Sequence, residues 1–171
     1  MKTITTVDEL ITHLKGMENS VSYCEVMELL KIPVREFERY YSWKKEGVTR
    51  NRIINIQNFE LQLICFEKDQ KTPIYALQSN QIWVKPIQGQ LTAKRFKLSR
   101  NESLFEQTGS SVITTLQHIT IPQDEIHQFS NVENNKAVLL ILSNQPINNW
   151  IQYELTGVFK TVTAKYDSIY I

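Results

Sequence analysis

The sequence has few of the residues on which cross-linked and metal-bound proteins depend. Its 171 residues include two cysteines and three histidines. Cys24 and Cys65 lie far apart, without the paired spacing of a zinc site or a redox motif, and a reducing cytoplasm suits them. With only five glycines and five prolines, and with 42% apolar and 22% charged residues, the chain is predicted to be globular rather than collagen-like, disordered or disulfide-rich.

An excess of charge and a long apolar run are also missing. Nineteen basic residues face eighteen acidic ones, which gives a net charge of +1. This balance disfavours a nucleic-acid partner, because such a partner requires a basic surface. No segment approaches the ~18 continuous apolar residues of a membrane span, and Met1 to Leu14 does not resemble a signal peptide. We therefore expect one soluble, cytoplasmic domain with no membrane partner.

The first forty residues have helical patterns. Thr6 and Glu9 are spaced as a capping box, in which each side chain satisfies a backbone donor at the helix start. An apolar stripe with helical spacing runs from Val7 to Leu14, and Gly16 ends it. These signals predict one amphipathic helix.

Two further helical segments are predicted after Gly16. Ser22 and Glu25 repeat the capping box, and the helix they begin should extend to about Lys31. Pro33 cannot continue a helix but suits the first turn of another. The predicted buried face of that third short helix carries Val34, Phe37 and Tyr41.

The period changes from helix to strand after Gly47. From Phe59 to Cys65 the residues alternate in the pattern of a strand with one face on a core. Because the helices precede the strands, an antiparallel barrel is favoured over a parallel α/β sheet. Pro86 should lie at an edge strand, a strand end or a bulge, and the edge strand is the commoner case. The other predicted strands are Thr49–Ile56, Gln81–Ile87, Leu91–Lys97, Val112–His118, Ala137–Leu142 and Gly157–Ala164.

Several blocks in order resemble the cysteine dioxygenase type I family of the cupin superfamily. Residues 48–51 (VTRN) resemble the family's Tyr-x-Arg-Asn start, and residues 59–66 the strand that follows it. Residues 72–74 with 83–89 resemble the first metal motif, and residues 126–131 (IHQFSN) the second. The resemblance implies an all-β fold with N-terminal helices, a cupin-like double-stranded β-helix or jelly-roll barrel. Chain length and the helix and strand patterns predict a single domain over 1–171, with a helical cap at 1–42 and the barrel at 48–171.

The family holds ferrous iron on three neutral imidazoles, two of them from a His-x-His pair. At those two positions this chain has Tyr75 and Leu77, while the third is retained as His127. Leucine has no lone pair, and a neutral phenol is a poor ligand. One imidazole cannot hold a divalent ion that needs three or four ligands. His127 is therefore interpreted as a pocket histidine, with a residual metal ligand as the less favoured interpretation.

Other family positions concern the substrate. Ile82 and Ser143 stand where some members have a cysteine cross-linked to a tyrosine, so this crosslink cannot form here. Arg50 matches the arginine that pairs with the substrate carboxylate, and a guanidinium suits such bidentate recognition. A structural arginine, bonded to barrel carbonyls or to a nearby acid, is an equally weighted interpretation.

Glu125 and His127 raise the question of a replacement metal site. They are two residues apart on a predicted strand and would then face the same side. His118 is expected to be a hydrogen-bonded, partly buried histidine, and His13 to lie on the polar side of the first helix. We do not expect the three histidines to converge.

Two functional hypotheses remain. The first is a non-catalytic module for small-molecule binding or interaction, with Arg50, Tyr75, Leu77, Ile82 and Ser143 around the ligand, a small carboxylate as possible ligand, and no cofactor. The alternative is a divergent metal-dependent thiol dioxygenase that oxidises a small amino-acid-like substrate with O2 and uses Fe(II). A structural or regulatory oligomer is a weaker third hypothesis, and the sequence does not indicate an oligomeric state.

Overall fold

Short helices precede a long series of strands. The computed structural model of the protein describes residues 3–17, 23–56, 58–78, 81–99 and 105–170. Within these residues α1 (Val7–Lys15) and α2 (Tyr23–Leu29) are followed by two 3-10 turns, Val34–Glu36 and Glu38–Tyr40. The strands are β1 (Thr49–Ile56), β2 (Phe59–Glu67), β3 (Ile74–Leu77), β4 (Gln81–Gln88), β5 (Leu91–Leu98), β6 (Phe105–Ile113), β7 (Ile119–Pro122), β8 (Ile126–Ser130), β9 (Lys136–Ser143), β10 (Asn149–Tyr153), β11 (Phe159–Thr163) and β12 (Ser168–Ile169). No helix in the described ranges is long and apolar enough to cross a membrane.

The first helix follows its sequence signals closely. The Thr6 hydroxyl accepts a hydrogen bond from the Glu9 amide at 3.1 Å, and the Glu9 carboxylate accepts one from the Thr5 amide at 2.8 Å. Gly16 caps the other end. Val7, Leu10 and Leu14 are buried as predicted.

The next helical segments are shorter than predicted. The helix α2 ends at Leu29, two residues before Lys31, and Ser22 of the second capping box lies outside the described residues. After Pro33 the chain makes 3-10 turns rather than an α-helix, because the amides of Phe37 and Tyr40 each bond a carbonyl three residues earlier, at 2.9 Å. This spacing buries Phe37 and Tyr40 together and leaves Val34 exposed, so the predicted face was only partly correct.

The strands form two six-stranded sheets in the described chain. One has the order β12-β1-β2-β9-β4-β7 and the other β11-β10-β3-β8-β5-β6. Neighbours pair antiparallel, apart from β1 with β12. The helices cover the outer face of the first sheet, where Tyr23 of α2 packs edge-on against Trp83 of β4 with ring centroids 5.2 Å apart. The inner faces enclose a second core, as in a jelly-roll barrel.

Strand β2 differs from its prediction because both of its faces are buried. Phe59, Leu61, Leu63 and Cys65 belong to the core under the helices, and Ile64 belongs to the core between the sheets. The polar alternating residues Glu60 and Gln62 are 0% exposed. The alternating residues of β2 therefore face two different cores instead of a core and the solvent. The polar side chains lie on the face that points into the barrel.

Two other predicted strands are shorter in the structure. The predicted strand Val112–His118 is correct only for Val112 and Ile113, which end β6. A turn follows, in which the Thr114 amide donates to Gln117 Oε1 at 3.2 Å and the Gln117 amide donates to the Thr114 carbonyl at 3.0 Å. The predicted strand Gly157–Ala164 is confirmed over Phe159–Thr163.

Pro86 lies at a bulge rather than on an edge strand. Strand β4 is interior in its sheet, between β9 and β7, but β7 pairs with it only from Gln81 to Val84. Pro86 is opposite Leu139, and the register with β9 shifts between Pro86 and Gln88. The missing amide hydrogen of proline is tolerated there because no ladder bond to β7 requires it.

Candidate ligand site inside the barrel

All six residues singled out from the sequence lie in the barrel interior, each no more than 7% exposed. They come from both sheets. Tyr75 on β3 is directly opposite His127 on β8, and Ile82 on β4 is directly opposite Ser143 on β9. The full set is Arg50 on β1, Tyr75 and Leu77 on β3, Ile82 on β4, His127 on β8 and Ser143 on β9.

Arg50 is a buried cation held between aromatic rings. Its guanidinium carbon lies 4.5 Å from the Trp150 ring centroid and 5.4 Å from that of Tyr75, within the range of cation–π attraction. Its Nη1 donates to Gln62 Oε1 at 3.1 Å. In the described part of the chain no carboxylate lies within ion-pair distance of it. Among the described residues the Arg50 side chain donates to Gln62 alone, so it lacks the direct bond to a barrel carbonyl or to an acid that the sequence left open, although the charge of Glu60 acts on it at longer range.

A second arginine does have an acidic partner. Arg52 Nε lies 3.5 Å from Glu60 Oε2, and its guanidinium stacks 3.9 Å from the Tyr166 ring centroid. Glu60 also accepts hydrogen bonds from the Tyr166 hydroxyl at 2.5 Å and from Gln62 Nε2 at 3.2 Å. Burial raises the pKa of Glu60, against the opposing effects of Tyr166 and Arg52. Glu60 is thus the direct partner of Arg52 and acts on Arg50 only at longer range, so Arg50 has no directly paired carboxylate among the described residues.

His127 has its ring fixed by one hydrogen bond. Nδ1 lies 2.9 Å from the Glu125 backbone carbonyl, so this nitrogen carries the proton and Nε2 keeps the lone pair. Burial lowers the pKa of His127 to about 4, the Glu125 carbonyl opposes this effect, and the charge of Arg50 adds to it. The imidazole is neutral near pH 7.

Three buried polar atoms around Arg50 have no hydrogen-bond partner among the described residues: Tyr75 Oη, His127 Nε2 and Trp150 Nε1. The Tyr75 ring lies 4.8 Å from the His127 ring and 6.2 Å from the Trp150 ring, centroid to centroid. Burial raises the pKa of Tyr75 against the opposing effects of Arg50 and Thr72, so its hydroxyl stays protonated and can donate a hydrogen bond. Buried polar groups are nearly always bonded, and a group of unpaired ones needs an explanation.

These residues do not fit a three-imidazole iron centre. His127 offers one free nitrogen, Leu77 offers none, and Tyr75 is a protonated phenol beside the cationic Arg50. The other two histidines are elsewhere: His13 is exposed on α1, and His118 is next to Cys24 of α2. The histidines therefore do not converge.

The replacement site at Glu125 is also absent. Glu125 precedes β8 after Asp124, whose φ is +61°, and its carboxylate pairs with Arg95 at 3.6 Å. Only the backbone carbonyl of Glu125 reaches His127. The Glu125 carboxylate is thus engaged by Arg95 and is not brought to His127 as a second ligand.

Four residues of this interior were not predicted: Glu60, Gln62, Trp150 and Tyr166. The signal for the first two was their alternation with apolar residues, but alternation alone does not distinguish solvent from a barrel interior. Trp150 and Tyr166 lie far from Arg50 in sequence. The fold brings Trp150 into contact with Arg50 and Tyr166 into contact with Arg52.

The described chain has a cupin-like fold, mostly β with two short α-helices and with two sheets in a double-stranded β-helix. Comparison of the sequence with protein families gives no match, and comparison with curated proteins gives none either. Similarity appears at the level of structure.

Three solved structures illustrate this similarity. TT1209 from Thermus thermophilus matches with a TM-score of 0.54 and 10% identity, over 67% of this chain and 100% of that one. An uncharacterised conserved protein with a double-stranded β-helix domain from Klebsiella pneumoniae matches with a TM-score of 0.53 and 8% identity, over 74% and 87%. A cupin 2 domain-containing protein from Halorhodospira halophila matches with a TM-score of 0.52 and 12% identity, over 68% and 77%. At such identities the likeness concerns the fold alone.

Proposed function

We propose that the protein is a non-catalytic cupin barrel that binds a small carboxylate and uses no cofactor. The observation that carries this proposal is Arg50, a buried guanidinium with one hydrogen bond, to Gln62, and no carboxylate within ion-pair distance in the described ranges. An unpaired buried charge is costly, and an anion that pairs with it removes that cost. The resemblance of residues 48–51 to the cysteine dioxygenase type I family supports the same role for Arg50.

The unpaired neighbours suggest the rest of the ligand. Tyr75 Oη and Trp150 Nε1 are donors that suit carboxylate oxygens, whereas neutral His127 presents an acceptor, Nε2. A ligand that carries a carboxylate and one hydrogen-bond donor, such as a small amino acid or hydroxy acid, would satisfy both kinds of group. Leu77 and Ile82 add an apolar wall, as is usual in ligand pockets.

Calorimetric titration with a panel of small amino acids, hydroxy acids and plain carboxylates tests this proposal. We expect saturable binding by the folded protein and a loss of about 2 kcal/mol or more, roughly 30-fold in Kd, in Arg50→Ala. Arg50→Lys retains the charge without the planar fork and should bind with intermediate affinity. Arg35→Ala, at an exposed arginine, is the matched control. Folded protein that binds none of the panel, or equal binding by Arg50→Ala, would contradict the proposal.

One observation favours the alternative of a divergent thiol dioxygenase: His127 Nε2 is buried, neutral and unpartnered, as a metal-ligating nitrogen would be. Elemental analysis of the purified protein, with O2 consumption in the presence of cysteine, distinguishes the two functions. Iron that is stoichiometric in the wild type and lost in His127→Gln would support the enzyme and overturn the non-catalytic proposal.

A further inference from the structure

A second group of potential ligands lies outside the barrel, where α2 meets the segment that precedes β7. Cys24 Sγ lies 3.3 Å from His118 Nε2. Glu28 lies on the same helix as Cys24, and the ligand atoms of Cys24, Glu28 and His118 are all within 4.8 Å of one another. It is the single group of three such side chains found in the described residues.

The backbone brings these side chains together and holds them there. Cys24 and Glu28 are four residues apart on α2 and so lie on one face of the helix. The helix is fixed to the sheet by the ring contact of Tyr23 with Trp83 and by Lys85 Nζ, which lies 3.5 Å from the Met27 carbonyl. Because α2 and β4 are packed together, the ligands do not need large backbone movements to meet.

The chemistry of the three groups suits a borderline-soft divalent ion. A thiolate, an imidazole and a carboxylate are the ligand types of Zn²⁺, and three protein ligands leave a fourth position for water. Ligand distances of about 2.3 Å for sulfur and 2.0 Å for nitrogen place these two atoms roughly 3.5 Å apart around a tetrahedral ion. The observed 3.3 Å is close to this value, and exposed Glu28 is free to adjust its rotamer.

We propose that Cys24, Glu28 and His118 bind Zn²⁺ or a similar transition-metal ion, which joins α2 to the segment before β7. The thiol proton leaves to solvent when the ion binds, and no redox change is involved. Lys85 lines the same cavity as Glu28 and His118. Its positive charge opposes a cation there, whereas the Glu28 carboxylate attracts one.

The surroundings give an ion access to the group. A cavity of about 520 Å³ is lined by Glu28, Lys85 and His118, so the water ligand and the entering ion have space. This site is independent of the barrel interior, since none of its three ligands contributes to the surroundings of Arg50. A metal bound here would stabilise the attachment of the helices without taking part in carboxylate binding.

Titration of chelator-treated, reduced protein with Co²⁺ tests the site directly, because a tetrahedral cobalt thiolate gives a sulfur-to-metal charge-transfer band and visible d–d bands. We expect one equivalent to bind with both signals, and Zn²⁺ to displace it. Cys24→Ser should abolish the charge-transfer band, and Glu28→Gln and His118→Gln should weaken binding by more than about tenfold. Cys65→Ser, at the buried second thiol, should retain the band.

Matched controls distinguish metal binding at this site from binding elsewhere on the protein. Glu25→Gln removes an exposed acid from the same helix and should leave binding unchanged. Zn²⁺ should raise the Tm of the wild type but not that of Cys24→Ser. Folded wild type without a cobalt thiolate band, or a band that persists in Cys24→Ser, would overturn the proposal and leave the Cys24–His118 contact as a simple hydrogen bond. Neither result bears on the binding of carboxylates at Arg50.

Discussion

The stability of the protein should fall steeply as the pH drops from 6.5 toward 4, and His127 should account for much of the fall. In the folded state burial lowers its pKa from 6.5 to about 4. Above pH 6.5 the imidazole is neutral whether the chain is folded or not, so the folded state has its full stability. As the pH falls, the unfolded chain takes up a proton that the buried ring cannot accept. A pKa change from 6.5 to about 4 corresponds to roughly 3 kcal/mol lost across this window.

The measurement is the free energy of unfolding by urea at several pH values, for wild type and His127→Gln. Glutamine retains a donor for the Glu125 carbonyl and does not titrate, so the difference between the two proteins isolates the imidazole. This subtraction matters because Glu60, whose pKa is raised in the fold, contributes with the opposite sign: the folded state binds its proton more readily as the pH falls. His13→Gln, at an exposed histidine, controls for the loss of a histidine elsewhere. Parallel pH profiles for wild type and His127→Gln would refute the reasoning.

Two further variants test the placement of the barrel interior and of a turn. The double variant Tyr75→His/Leu77→His should bind Fe²⁺ or Ni²⁺ together with His127, because positions 75 and 77 lie on one face of β3 and position 75 is opposite position 127. Elemental analysis after dialysis measures the bound metal. A folded double variant without metal would show that these side chains do not share one centre. Gly89→Ala should destabilise the protein by about 1 to 3 kcal/mol in urea unfolding, since φ there is +71° and an added Cβ would lie 3.1 Å from the Lys136 carbonyl. Gly47→Ala, where nothing lies within 4 Å, is the control, and an equal effect in both would contradict the backbone argument.

The sequence predicted the elements whose signals are local. Strand Thr49–Ile56 matches its prediction in full, because its β-branched residues follow the break in the helical pattern at Gly47. The first helix is equally well defined by its cap at Thr6 and its end at Gly16. The strand predicted at Val112–His118 ends early because the turn at Thr114 depends on a hydrogen bond to the Gln117 side chain, which a propensity pattern does not contain.

The candidate site was predictable only through its resemblance to a family, and incompletely. Arg50, Tyr75 and His127 do lie together in the barrel, but their chemical state depends on burial, which the sequence does not give. Long-range contacts were inaccessible: Cys24 and His118 are 94 residues apart. The spacing of the cysteines argued against a zinc site, because such spacing rules apply only when the ligands are near one another in sequence.

Strand β2 contributes to both hydrophobic cores: its outward side chains complete the core under the helices, and Ile64 and Phe66 complete the core of the barrel. Because the two cores share this strand, the unfolding of one is coupled to the unfolding of the other. Detachment of the helices would uncover Leu61 and Leu63 on a broad apolar sheet face, and collapse of the barrel would remove the platform on which the helices rest. Heating should therefore unfold both halves in one cooperative step, so that the helical segment melts as an integral part of the domain and not as a detachable appendage.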